Sequence, residues 1–517
     1  MFKRYIVKGF VLLLVPAAFS VAIPTVGLAQ DAPEPIKLEA ESSEAAQDVY
    51  ADGASYQNGA KFEIAIEEWV KFRDTYSADP LAPKSIYYLG ICSLQLKKYE
   101  DAAAAFEFTA TRYEKHENSE AAYFYWGRTR YAQASAAENA EKRMAHFTTA
   151  ILAFGKQLEL FEKGALSDQA LYLRGESFYN QDDKTKAIAD YRAVVIGFPK
   201  SSYRQDAIYV LGATLEEKEK YKEAGVAYDL FLKEFPESGL RTEVRMRKAE
   251  SMLQDNKFEE AAQIFAEVAA VEGFDHATRS RLRQAFCLVN LEQLDDASTI
   301  YQSVFEATEE ADLKKTAVTQ LHVLCRKYIE KKLYNKSLAL AQQMVEKADT
   351  EDLKVRFRMA AADSLDGQAK YGESRPRYLA IAKDHETHVL APDALYFAAF
   401  AAFQLKEYDN VLSDASVFSG KYTDHEFAKD VSRLVQESRV LKSVDLFKAE
   451  NFAETIELLN AVVKDNPKGK RVAESLLLLA RSQARLKKYD EAKASVGQLI
   501  EGFPESKLLP EATFRLG

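Results

Sequence analysis

Apolar residues return along this chain in one fixed order. Between positions 207 and 236 they run Ala207, Tyr209, Leu211 and Gly212, give way to a polar stretch, and resume as Tyr221, Ala224, Tyr228 and Phe231 ahead of Pro236. Spacings of three and four residues put the second set on one face of a helix, and the first set reads as a helix of the same amphipathic kind. Pro236 stops the second helix, because it has no N–H to donate and crowds the preceding turn. The pattern predicts two amphipathic helices joined by a tight turn.

The unit recurs. Its "K-x-Y-x-x-A" anchor stands at Phe62, Tyr99, Phe147, Lys184, Tyr221, Phe258, Leu294, Tyr334, Tyr371, Tyr408, Phe452 and Tyr489, and seven of the eleven steps are 37 residues. Nine residues before most anchors is a small residue, as at Gly53, Gly90, Gly175, Gly212, Ala249, Ala285, Cys325, Ala399, Ser443 and Ala480, with Gly127 and Ala360 holding the slot beside longer turns. A helical Gly costs about 1 kcal/mol relative to Ala, so glycine kept at one phase predicts close backbone approach between two helices. Neither amphipathic stripe is buried by one unit alone, so neighbours must stack into a solenoid. The steps of 48 and 44 add residues around "AQASAAENAEKRMAH" and "SGKYTDHEFAKDVSRL". Without Pro, and with Gly only at one end of the second, these are expected to lengthen helices rather than form loose loops.

The frame Ala207-x-Tyr209-x-Leu211-Gly212, followed by Tyr221-x-x-Ala224, Tyr228, Phe231 and Pro236, resembles the tetratricopeptide repeat. The resemblance covers residues 43–517 as about twelve repeats and a fragment. It implies an all-α, right-handed superhelical solenoid of helix-turn-helix repeats that binds other proteins. The three residues beyond the family's common period, together with "FP-x-S", resemble the repeats of exported bacterial envelope proteins, the periplasmic coordinator of the Tol–Pal system and the outer-membrane β-barrel assembly lipoprotein.

Composition agrees with a helical chain: 47% of the 517 residues are apolar and 29% charged, with only 13 Pro and 21 Gly. Lys3, Arg4 and Lys8 precede an apolar run from Gly9 to Val15, and Gly27-Leu28-Ala29 offers small residues for cleavage, so residues 1–29 are expected to be a secretory signal peptide. The rival reading is an uncleaved anchor; export follows from both. Residues 30–42, "QDAPEPIKLEAES", read as a short acidic linker. Cleavage would remove three of the 69 basic residues and none of the 79 acidic ones, leaving a net charge of −13, which disfavours nucleic acid and anionic membrane as partners. No later stretch is apolar enough for a membrane span. The cysteines are Cys92, Cys287 and Cys325, none of them after the cleavage site, so a lipid-anchored form is not expected.

Chemistry is not signalled. Walker, G-x-S-x-G, H-E-x-x-H and Cys-x-x-Cys motifs are absent, so no catalytic residue, cofactor, metal or small-molecule substrate is assigned. In "DHETH" His385 and His388 could share a face beside Asp384 or Glu386, but the segment falls in an inter-repeat turn. The cysteines occupy the small slots and are expected to be buried thiols acting as small apolar residues.

Aromatic residues offer the candidate site. In the family, the position three before the small slot borders the concave surface where peptides bind, and the position four after it lies on the same side. By that resemblance Tyr87, Phe124, Tyr131, Tyr172, Tyr179 and Tyr209, with Arg128 between them, form a groove for an extended or helical peptide; the other reading has these rings packing first helix against first helix. The family's Lys/Asn clamp for a C-terminal carboxylate has no counterpart here.

The function expected is a scaffold in the periplasm that binds a protein or peptide partner of the envelope. Its alternatives are the recruitment arm of a larger envelope enzyme, with a catalytic domain beyond Gly517, and a purely structural spacer. Leu508, Leu509, Phe514 and Leu516 belong to a first helix with no second helix after it. Either the sequence is cut from a longer chain, or another molecule covers that end, self-association included.

Overall fold

The computed structural model describes residues 34–516, and of residues 515 and 516 only the backbone. The segment expected to be a signal peptide and residues 30–33 of the expected linker lie outside the described residues. The chain divides into two compact units, the first ending at Ile264 and the second beginning at Phe265.

Among the described residues there are 25 α-helices, the first Glu44–Asn58 and the last Leu509–Leu516. They form an all-α, helix-turn-helix repeat solenoid. Twelve first helices are each followed by a second helix, and in eleven pairs the second helix starts on the anchor residue, as in Tyr221–Glu234 and Tyr371–Asp384. The remaining anchor, Phe147, lies inside Ala140–Leu160.

One turn geometry builds these eleven hairpins. Two residues before each of their anchors, a residue other than glycine has positive φ; Glu219, at 57°, is typical. Glu219 N–H then donates to Glu216 O at 2.8 Å and Lys220 N–H to Leu215 O at 2.9 Å. Carbonyls left open at the end of the first helix are satisfied this way, against about 1 kcal/mol for a left-handed residue with a Cβ.

The two irregular steps are helical. Ser119–Ala136 and Ala140–Leu160 run 18 and 21 residues where most helices have 14, and Ala428–Lys448 runs 21.

The small slot works differently from the sequence expectation. In the first unit the neighbour is not another backbone but an aromatic ring from the second helix of the same pair. A Cβ on Gly212 would stand 2.5 Å from the Tyr228 ring, and one on Gly90 2.6 Å from Phe106. Gly53, Gly127 and Gly175 face Trp69, Phe154 and Tyr191 in the same way. Each of these rings lies seven residues after its anchor and is essentially fully buried. In the pair that follows Ala348, the register of Gly212 relative to the turn falls on Ala362, not Ala360, because the turn at Ala369 has ordinary length. Ala362 and Tyr378 share one apolar cluster. Cys92, Cys287 and Cys325 are all buried; burial pushes the Cys92 thiol up to about 11 and that of Cys325 to about 12.

Residues 34–42 do not dangle. They run extended across the ends of the first two pairs, with Ile36 N–H donating to Arg112 O at 2.9 Å and Glu39 N–H to Ala78 O at 2.7 Å. Ile36 and Leu38 pack on the first apolar cluster. Buried Asp79 accepts from Ser42 Oγ at 3.0 Å and from Ser43 N–H at 3.1 Å, fixing the entry into Glu44–Asn58.

Candidate partner-binding face

All seven candidate residues lie on first helices of the first unit: Tyr87 on Ala82–Gln95; Phe124, Arg128 and Tyr131 on Ser119–Ala136; Tyr172 and Tyr179 on Ser167–Asn180; Tyr209 on Arg204–Glu217. A step of 37 places equivalent residues of consecutive pairs side by side, so their environments are comparable.

The structure separates them. Phe124, 2% exposed, packs on Phe154 with ring centroids 6.1 Å apart. Tyr209, 9% exposed, sets its ring against Phe231 at 6.4 Å. These two are core residues, and Tyr209 offers only its hydroxyl, which donates to Glu243 at 2.6 Å. Tyr87, Tyr131, Tyr172 and Tyr179 are half-buried, and Arg128 is exposed. Tyr131 and Tyr172 border the same apolar cluster as Phe124, while Tyr172 and Tyr179 border the one that holds Tyr209. Tyr87 stands apart from these, against Phe106 and Tyr125.

Residues outside the expected phases complete the face. Tyr125 is a hub: it contacts Tyr87 at 6.1 Å, stacks on Phe106 at 5.5 Å, and carries the Arg128 guanidinium at 5.7 Å. Carboxylates interleave with the phenols. Tyr191 donates to Glu176 at 2.5 Å, and the Tyr179 hydroxyl lies 2.8 Å from both oxygens of Glu217. The Arg247 guanidinium lies 5.4 Å from the Tyr209 ring and pairs with Glu216 and Glu243, each at 3.2 Å. Burial pushes the Tyr209 phenol up to about 12, against the opposing pull of Arg247, and burial likewise raises Glu216. A search for apolar periodicity passes over these acids, since isolated acidic residues read as solvated surface. The usable signal was their recurrence in step with the tyrosines, as at Asp206 and Glu243.

The "DHETH" histidines are engaged separately. His388 Nε2 lies 3.0 Å from Asp352 Oδ1 and His385 Nε2 lies 2.6 Å from an Arg358 nitrogen. Among the described residues no three His, Cys, Asp or Glu side chains converge as a metal site, and no helix is long and apolar enough to cross a membrane.

Family models described as tetratricopeptide repeat match residues 50–115, 169–201 and 474–506. Those three stretches therefore carry tetratricopeptide repeats, over about a quarter of the 517 residues. No curated protein matches the chain. Among solved structures, Naa15/Naa10 bound to HypK-THB is similar at 11% identity, over 90% of this chain and 65% of that one, with a TM-score of 0.40. This chain thus spans less than two thirds of that relative's length. The C-terminal part of a repeat-containing protein from Cytophaga hutchinsonii aligns at 15% identity over 51% of this chain and 97% of that one, TM-score 0.36. A tetratricopeptide-repeat protein from Parabacteroides merdae aligns at 11% over 53% and 98%, TM-score 0.31.

Proposed function

We propose that this chain is an exported scaffold of the bacterial cell envelope that takes a partner segment along the first-helix face of its first unit. The observation that carries the reading is the half-buried trio Tyr131, Tyr172 and Tyr179 beside exposed Arg128, on consecutive first helices. Half-buried aromatic rings held in place by a rigid scaffold bind peptide segments at low entropic cost. Repetition of the unit adds further contacts along the solenoid, so weak individual contacts combine. Export is supported by the basic and then apolar sequence of residues 1–29, and the envelope by the likeness of the "FP-x-S" repeats to exported ones.

The test is a photo-crosslinking residue at position 128 of the full chain in its native cells. We expect a covalent adduct in the periplasmic fraction, lost when Tyr131→Ala and Tyr172→Ala are combined in a variant that keeps its helicity. An adduct that survives the double substitution would move the binding site elsewhere, and a cytoplasmic chain would remove the envelope from the reading.

A further inference from the structure

One position along the first-helix face lacks a partner that its neighbour has. In the pair containing Arg241–Gln254, Arg247 lies over the ring of Tyr209 and is gripped by Glu243 and Glu216. One step of 37 residues earlier, Tyr172 corresponds to Tyr209 and Asp206 to Glu243. The residue corresponding to Arg247 is Val210, which is half-buried and has no charge to offer. The ring and one of the two acids recur, Tyr179 stands where Glu216 would, Glu176 supplies an acid from a different position, and the cation does not recur.

The surroundings fit that description. The Tyr172 ring is 4.9 Å from that of Tyr203 and 6.0 Å from that of Tyr191, whose hydroxyl is held by Glu176. Glu176 and Asp206 both act electrostatically on Tyr172, raising its pKa after burial, the larger cause. The Asp206 side chain is open to solvent, yet the protein crowding round it raises its pKa, and no cation offsets the rise. Nearby Arg174 is committed to Asp190 in a two-pronged pair at 2.7 and 2.8 Å, and Arg204 to Glu234.

From this register we infer that Tyr172, Tyr203, Asp206 and Glu176 form a receptor for an arginine side chain of the partner, which fills the place that Arg247 fills one repeat later. The inference rests on the groove reading above. A guanidinium suits the site because its face stacks on a ring while its edge pairs with a carboxylate, as Arg247 does.

The test uses the full chain and three fluorescent twelve-residue peptides of alternating Ser with Arg, Tyr or Glu, followed by anisotropy. We expect the Arg peptide to bind about tenfold more tightly than the Tyr peptide and to weaken with salt, as a rim charge does, and the Glu peptide not to bind. Asp206→Asn should remove most of that preference. Val210→Arg should remove it too, by installing the missing cation from within, while leaving thermal stability equal to or above the parent's. Binding of the Arg peptide that survives both substitutions would reflect general attraction to an acidic chain and would overturn the inference. If the Arg and Tyr peptides bind equally and both are lost with Tyr131→Ala/Tyr172→Ala, the groove stands and the arginine receptor falls. If no peptide binds, both fall.

Discussion

The two compact units use one register with different side chains. In the first unit, Gly53, Gly90, Gly127, Gly175 and Gly212 each carry a large ring. In the second, Cys325 pairs with Ala341, Ala399 with Ala415 and Ala480 with Val496, while Ala285 and Ala362 share their clusters with the rings of Tyr301 and Tyr378. Close packing constrains the two volumes together rather than either one alone. In the first unit glycine is thus the companion of a ring, whereas in the second a methyl or thiol holds the slot beside a smaller side chain in the three pairs above and beside a tyrosine at Ala285 and Ala362.

The largest expected effect tests that complementarity. Gly212→Ala should destabilise the chain by about 1–3 kcal/mol through overpacking against Tyr228, read as a shift in the urea midpoint of the first unit. In a Tyr228→Leu background the same Ala should become neutral or favourable, since it gains up to about 1 kcal/mol of helix propensity. A cost that persists in that background would mean that the ring is not what excludes the methyl.

Next in size is a contrast between half-buried acids at one register, the residue after the small slot. Glu176 in the first unit and Asp363 in the second each accept from the core tyrosine of their pair, Tyr191 and Tyr378, the latter at 2.8 Å. Burial pushes Asp363 up to about 6; Asp366 and Asp393 add to the rise, while Tyr378 and Arg326 oppose it. A carboxyl whose folded pKa is raised favours folding in its protonated form, so this contribution is present at low pH and is lost as pH climbs from about 4 through about 6. Asp363→Asn should therefore stabilise the second unit by about 1–3 kcal/mol at pH 7.5 and leave it unchanged at pH 3.5, as measured by thermal melts at the two values. An equal gain at both would assign the effect to packing instead.

The smallest effect concerns a feature both units share. Glu219→Gly in the first unit and Lys406→Gly in the second relieve a left-handed residue, and each should stabilise by about 0.5–1 kcal/mol in chemical denaturation. A loss at either would show that the native side chain contributes more than its φ costs.

The hairpins were legible because an anchor repeated at 37 residues fixes a helix start, and the lengthened helices followed from the absence of proline. The meaning of the glycines was not legible by inspecting one position at a time. The ring that explains Gly212 stands 16 residues away on another helix, and only pairing the two columns reveals it. Tyr209 and Tyr172 occupy the same phase, yet one is core and the other half-open, because burial depends on what the neighbouring pair supplies. Arg247 and its acids were passed over since charge on a helix usually marks solvent, whereas here it marks a ring face.

The extended segment at residues 34–42 has a consequence for how the chain comes apart. In a linear array the end repeat normally frays alone, since it has one neighbour. Here Ile36 is tied to Arg112 in the second pair and Glu39 to Ala78 at the junction of the first two. Opening the first pair must break contacts belonging to the second, so the amides of both should exchange with solvent in one cooperative step. Residues 34–42 act as a clasp that converts two repeats into a single folding unit.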